Sequence, residues 1–156
     1  MVIRRAIQTD MEGINELLCQ VLMVHHNGRP DLFKANAKKY TDAQLEQLIK
    51  DDTKPIFVAV NEEDKVLGYA FCVIQQYQNH EIMTDVRTLY IDDLCVDEHL
   101  RGQHIGKRLY EYVVNFAKEQ NFYNVTLNVW CLNESAMKFY EACGLTPQKI
   151  GMEKIL

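Results

Sequence analysis

No stretch of this chain is apolar for long enough to cross a bilayer; the longest apolar runs, Pro55–Val60 and Tyr69–Ile74, have the length of strands. The opening Met1 to Arg5 leads straight into a strand pattern. It lacks the apolar core and small-residue cleavage site of a signal peptide, so a cytoplasmic protein is expected. An excess of positive charge is also missing. The formal net charge is −5, and an acidic surface repels nucleic acid and anionic membrane, so neither is an expected partner. Cysteine occurs at Cys19, Cys72, Cys95, Cys131 and Cys143, an odd count without a C-x-x-C pair. That excludes a disulfide framework and points to reduced thiols among apolar neighbours. Metal-ligand spacing is absent too: His25 and His26 are adjacent rather than a helical turn apart, so no metal is expected. Nor does any repeat, linker or low-complexity tract divide the chain, and 156 residues suit one domain spanning 1–156.

What is present is a succession of short strands and helices, an α+β pattern. Val2–Ile7 reads as a strand, followed by a helix capped by Thr9 or Asp10 with Ile14, Leu17, Leu18, Val21 and Leu22 on one face. Turn residues from Asn27 to Asp31 end it, and Thr41 with Gln44 forms a capping box for a second helix. Pro55–Val60 and Val66–Gln76 read as an antiparallel hairpin around Asn61–Lys65, and Gln75–Thr84 as a polar loop. Arg87–Val96 is a further strand, apolar except for Asp92-Asp93. Ile105, Leu109, Tyr112, Val113 and Phe116 then form one face of a helix running to about Gln120. Val125–Trp130 alternates as a strand, and Asn133 caps a short helix closed by Gly144. The tail from Leu145 to Leu156 has strand character, limited by Pro147 and Gly151.

Between the strand ending at Val96 and the next helix lies R-G-Q-H-I-G, Arg101 to Gly106, followed by Lys107 and Arg108. A strand that feeds a glycine-containing turn into a helix start gathers unpaired amides, and the helix dipole favours an anion there. A tight turn with solvent-facing basic residues would give the same short pattern. Two other nucleotide motifs do not fit. The P-loop needs a longer glycine spacing and a hydroxyl where Arg108 stands, and a dinucleotide fold needs an acidic residue where Cys131-Leu132-Asn133 follows the next strand.

Taken with its surroundings, this segment resembles the N-acetyltransferase superfamily called GNAT. The signature [Q/R]-x-x-G-x-[G/A] falls on Arg101, His104 and Gly106, preceded by Leu94-Cys95-Val96-Asp97-Glu98-His99-Leu100-Arg101-Gly102. N-E-S-A-M-K-F-Y-E-A-C-G-L, from Asn133 to Leu145, is similar to the second motif, and the opening I-R-R-A before an Asp-led helix is similar as well. The resemblance implies an α/β/α layered domain. Its central sheet would be mixed but mostly antiparallel, with helices on both faces, splayed between Arg87–Val96 and Val125–Trp130. It also implies acetyl-CoA as acyl donor, and dimers are common in the family. The pantetheine arm would pair with the backbone of Leu94, Cys95 and Val96 and bond to Asn133, with a strand amide polarising the thioester carbonyl. The pyrophosphate would lie on Arg101, Gly102, Gln103, His104, Ile105, Gly106 and Lys107. Tyr140, at the motif tyrosine, would protonate the departing thiolate. One position departs from the pattern: His104 stands where the signature has its first glycine, which matters only if its φ is positive.

Asp92 and Asp93 are the remaining signal. Adjacent residues of a regular strand point to opposite faces, so only one should enter the cleft, the other pairing with a surface cation or with water. Y-I-D-D-L-C-V is similar to the acidic strand of the spermidine/spermine acetyltransferase branch. That likeness implies a carboxylate that takes the amine's proton, with Asp92 favoured, and one that holds an ammonium. A small-molecule cationic amine is the expected acceptor, attacked directly in a ternary complex. The alternatives are a protein or amino-acid N-acetyltransferase, and a non-catalytic acyl-CoA-binding sensor. Acyl transfer through Cys95 or Cys143 lacks a supporting histidine.

Overall fold

In a computed structural model that describes all residues 1–156, the patterning resolves into nine main elements. They run β1 (Val2–Arg5), α1 (Met11–Gly28), α2 (Asp42–Lys50), β2 (Ile56–Val60), β3 (Val66–Gln76), β4 (Arg87–Val96), α3 (Ile105–Glu119), β5 (Asn124–Leu127) and α4 (Glu134–Ala142). Local chemistry starts and stops them. The Thr41 amide donates to Gln44 Oε1 (2.8 Å) and the Gln44 amide to Thr41 Oγ1 (3.2 Å), closing the capping box of α2. Asp10, 3% exposed, precedes α1 and accepts from the Ile7 amide (2.8 Å) while pairing with Arg4 (2.7 Å). That pair ties β1 to α1. Gly144, at φ 88°, ends α4, and the Leu145 amide returns to the Tyr140 carbonyl (3.1 Å).

The strands lie side by side in chain order, β1-β2-β3-β4-β5; the first four pair antiparallel, and β5 runs parallel to β4. Apolar alternation divides the core between two faces. Val58, Val60, Tyr69 and Phe71 pack with Ile14, Leu17, Leu18 and Leu45 of α1 and α2. Phe57, Ala70, Leu89 and Ile91 meet Val113 and Ala117 of α3 on the other face. Each fully buried aliphatic side chain contributes about 1.5–3 kcal/mol, so these two layers hold the sheet rigid beneath whatever is built at its end.

The structure corrects three expectations. β5 stops at Leu127 rather than Trp130. Beyond it the Asn128 side-chain amide donates to the Tyr90 hydroxyl (3.2 Å), and Trp130 turns its edge to Phe33 (5.5 Å between centroids). The tail from Leu145 forms no strand. Pro147 has no amide to donate, and a four-residue β5 offers a short template. Of the five cysteines only Cys72 and Cys95 are buried; Cys19 and Cys131 are exposed and Cys143 is intermediate.

Candidate active site

The β4–β5 ladder ends where Ile91 faces Leu127, and β4 continues through Asp92 to Val96 with β3 alone beside it. The two strands therefore splay, and the amides and carbonyls of Leu94–Val96 that do not address β3 open onto the gap. At the end of β4 the chain turns through Gly102 (φ 80°) and His104 (φ 60°, ψ 13°) into α3. No side chain caps this helix, its first turn holds no acidic residue, and the first helical bond is from the Arg108 amide to the His104 carbonyl (3.0 Å). The amides of Ile105, Gly106 and Lys107 are thus left without helical partners, on a loop whose Arg101, Gly102, Gln103 and His104 are exposed. A Cβ on Gly106 would stand 3.5 Å from Val96 and 3.6 Å from Phe139, in ordinary contact. Orphaned amides, positive-φ turns and exposed Arg101 and Lys107 suit a pyrophosphate.

His104 meets the condition under which its side chain matters: its φ is left-handed. Holding a non-glycine residue there costs about 1–2 kcal/mol. Glycine relieves that strain but adds about 0.4–1 kcal/mol of freedom to the unfolded chain. His104→Gly is therefore expected to stabilise the protein by about 0.5–1 kcal/mol, read as a higher urea midpoint at unchanged slope.

The acidic pair behaves differently from a regular strand. Phe71 faces Asp93 and Cys72 faces Ile91, so Asp92 is an extra residue in β4, a β-bulge. The bulge keeps Ile91 and Leu94 on the α3 side and turns both carboxylates to the other face. Lys39, from the loop between α1 and α2, reaches both, with Nζ 3.2 Å from Asp92 Oδ2 and 3.4 Å from Asp93 Oδ2. The expectation that only one of the two enters the cleft is corrected by this extra residue. The Asp side chains differ in burial, 37% exposed for Asp92 and 10% for Asp93. The Tyr69 hydroxyl donates to Asp93 Oδ2 (3.0 Å). Burial raises the Asp93 carboxyl above its ordinary value, and the Lys39 charge and the Tyr69 hydrogen bond only partly offset it. For Lys39, burial opposes the charge, but Asp93 and Asp92 outweigh it and hold the ammonium above the usual lysine range.

The α4 residues come from the opposite wall. Asn133 Oδ1 accepts from the Ala136 amide (3.2 Å) and the Ser135 hydroxyl (3.1 Å), which leaves the side-chain NH₂ to donate elsewhere. Tyr140 packs against Phe139 and Tyr110. Its hydroxyl is held well above the ordinary tyrosine range by burial and then by the charge of Asp93, so it stays protonated. A hollow lined by Val24, His25, Phe33, Trp130, Leu132 and Asn133 lies between the α1–α2 loop and the β5–α4 loop. His25 stacks on Phe33 (5.1 Å) within it.

Lys39 and Tyr69 are absent from the residues the sequence suggested. Tyr69 carried a usable signal, since hairpin register places it opposite Cys95, two residues from Asp93. Lys39 carried none, being one of two adjacent lysines in a polar loop.

Comparison with known proteins agrees with this arrangement. The model of the Acetyltransferase (GNAT) family matches residues 22–145. The tetramutant of the BH1408 protein from Bacillus halodurans is 31% identical, with a TM-score of 0.94 and 100% of both chains covered. The Glucosamine 6-phosphate N-acetyltransferase of Arabidopsis thaliana is 35% identical over 65 residues, 42% of either chain. The Peptidyl-lysine N-acetyltransferase YjaB of Salmonella typhimurium is 30% identical over 114 residues, 72% of this chain and 63% of that one. The chain thus spans less than two thirds of the length of these two curated relatives. Splayed strands, an uncapped helix start after a positive-φ turn, and a family match over most of the chain lead to one assignment: this chain belongs to the GNAT acetyltransferase family.

Proposed function

We propose that the chain is an acetyl-CoA-dependent N-acetyltransferase whose acceptor is a primary amine docked as its ammonium on Asp92 and Asp93. The observation that carries this reading is the bulge, which aims two carboxylates at one point beside the open edge of β4, a point already holding an ammonium, that of Lys39. When bound, acetyl-CoA supplies an activated acetyl thioester. Arg101, the Lys107 side chain and the amides of Ile105 to Lys107, with the Gly102–His104 turn before them, would hold its pyrophosphate, and the Leu94–Val96 backbone and Asn133 its pantetheine arm. A strand amide facing the gap polarises the carbonyl as charge develops on its oxygen. We assign proton acceptance to Asp93 rather than Asp92, because burial lifts its carboxyl toward the range of a useful base. Asp92, more exposed, supplies charge that holds the ammonium. Tyr140 keeps its proton until the carbon–sulfur bond breaks and then donates it to the leaving sulfur.

A small cationic amine fits this charge, and the aromatic hollow beside Asn133 suits a carbon chain behind it. A lysine side chain of a peptide is the second reading, favoured because the ammonium already on the pair belongs to a lysine and because the Salmonella relative is named for peptidyl lysine.

Coenzyme A binding tests the donor half of the proposal. A ligand present at about 100 times its dissociation constant stabilises the native state by about 2.7 kcal/mol, so saturating CoA is expected to raise Tm clearly. Arg101→Glu, on an exposed loop, is expected to fold normally and lose that shift. A wild-type protein indifferent to CoA overturns the assignment. Thiol release with diamines, a lysine peptide and glucosamine phosphate then ranks the acceptors.

A further inference from the structure

Of the lysines in this protein, Lys39 alone has its Nζ on both carboxylates of the candidate acceptor site. Lys38 pairs with Asp42, Lys50 with Glu46, Lys54 with Asp51, Lys107 with Glu111 and Lys138 with Glu134, all on the surface. Lys39 is held in place from two sides. The next residue, Tyr40, stacks on Phe71 (5.9 Å), the β3 residue that faces Asp93, and Nζ lies 5.4 Å from the Tyr40 ring centre. We propose that Lys39 is itself an acceptor, and that the enzyme acetylates its own Lys39 in an intramolecular reaction.

This inference rests on the reading of Asp92 and Asp93 as the acceptor site. The Lys39 ammonium gives one proton to the Asp93 carboxylate, and the freed Nζ lone pair attacks the thioester carbonyl carbon of acetyl-CoA. A carbon–nitrogen bond forms and the carbon–sulfur bond breaks. The departing sulfur takes the Tyr140 proton, and the second proton lost by nitrogen restores Tyr140. The products are Nζ-acetyl-Lys39, free CoA thiol and one proton, which leaves Asp93 for water. Nothing is oxidised or reduced.

The modification changes the site it arises from. Acetyl-Lys39 carries no charge, so Asp92 and Asp93 lose their internal counterion and stand free for an external ammonium. Before acetylation, an incoming cation has to displace a tethered competitor. Self-acetylation thus converts a site occupied by the protein's own lysine into one open to substrate.

The test uses wild-type protein with acetyl-CoA and no added amine, quenched over time and mapped by peptide mass spectrometry. One acetyl group is expected on Lys39, forming at least about 10-fold faster than on Lys38, as a positioned group outpaces a chemically identical neighbour. Its first-order rate should not change with protein concentration. Lys39→Arg keeps the positive charge and should remove the fast label, leaving only the slow one on Lys38, and Tyr140→Phe should slow the labelling of Lys39 but not of Lys38. Equal labelling of both lysines, or a rate that scales with protein concentration, overturns the proposal. A parallel panel of free amines separates the two readings. CoA release with an amine but an unmodified Lys39 defeats self-acetylation and leaves the acetyltransferase standing. No release with any amine, and no label, defeats both.

Discussion

Tyr140→Phe is expected to lower turnover by about 10²-fold or more while leaving the urea midpoint unchanged. The substitution keeps the ring, and with it the packing on Phe139 and Tyr110, and deletes only the hydroxyl. Burial and then the charge of Asp93 hold that hydroxyl above the ordinary tyrosine range. It is therefore protonated throughout the working pH range, and no limb of the pH–rate profile should belong to it. Without the donor, thiolate must leave unprotonated in a site already made negative by two carboxylates. The loss should fall on kcat and kcat/KM alike, since the hydrogen bond forms only as the sulfur departs. A variant with wild-type turnover would return Tyr140 to the role of packing residue.

Asp93→Asn is expected to separate activity from stability. Turnover should fall by about 10²-fold or more with loss of the base, yet the protein should gain on the order of 1 kcal/mol. The sign follows from the raised Asp93 carboxyl, whose side chain is only 10% exposed. Below the ordinary value of 3.8 the carboxyl is protonated whether the chain is folded or not, and contributes no pH dependence. As pH rises past 3.8 the unfolded chain ionises first, so the native state binds more protons and stability falls. The deficit is complete once pH exceeds the folded value. Asparagine carries no such penalty, and its Oδ1 still accepts from the Tyr69 hydroxyl. The difference in urea midpoint between variant and wild type should accordingly be small at low pH and widest near neutrality. Asp92→Asn is the contrasting case. It removes charge from a group 37% exposed, so about 10-fold should be lost in KM for cationic acceptors, with kcat nearly unchanged. If the two variants behave in reverse, the roles of the two aspartates are exchanged.

Much of the scaffold could be read from residue order because its signals are local. The bounds of β3 and β4 follow from apolar runs flanked by polar loops, α3 from a 3.6-residue stripe, and α2 and α4 from Thr41–Gln44 and Asn133 with Gly144. The stretch from Arg101 to Gly106 was legible as a glycine-containing turn into a helix start for the same reason. What escaped is set between strands or between distant loops. The extra residue at Asp92 exists only relative to β3, so strict alternation misplaced one carboxylate. The contact of Lys39 with the pair spans 53 and 54 positions and depends on where the α1–α2 loop crosses the sheet. The left-handed backbone of His104 could be posed as a condition but not decided, since histidine adopts it less readily than glycine. The tail pattern was misleading because alternation makes a strand only where a neighbour offers a ladder.

Where β4 runs on beyond Ile91, the sheet has an edge in its interior. Edges of this kind, with Leu94, Cys95 and Val96 offering unpaired backbone, invite any extended chain, including another copy's strand. The bulge and the charges of Asp92 and Asp93 are the devices by which natural sheets discourage that. A slim donor arm laid along the gap would act as a surrogate strand. Amides facing the gap should then exchange hydrogen rapidly in the free protein and become protected when the donor is bound. With nothing laid along the gap, the protein would be in the form more prone to aggregate.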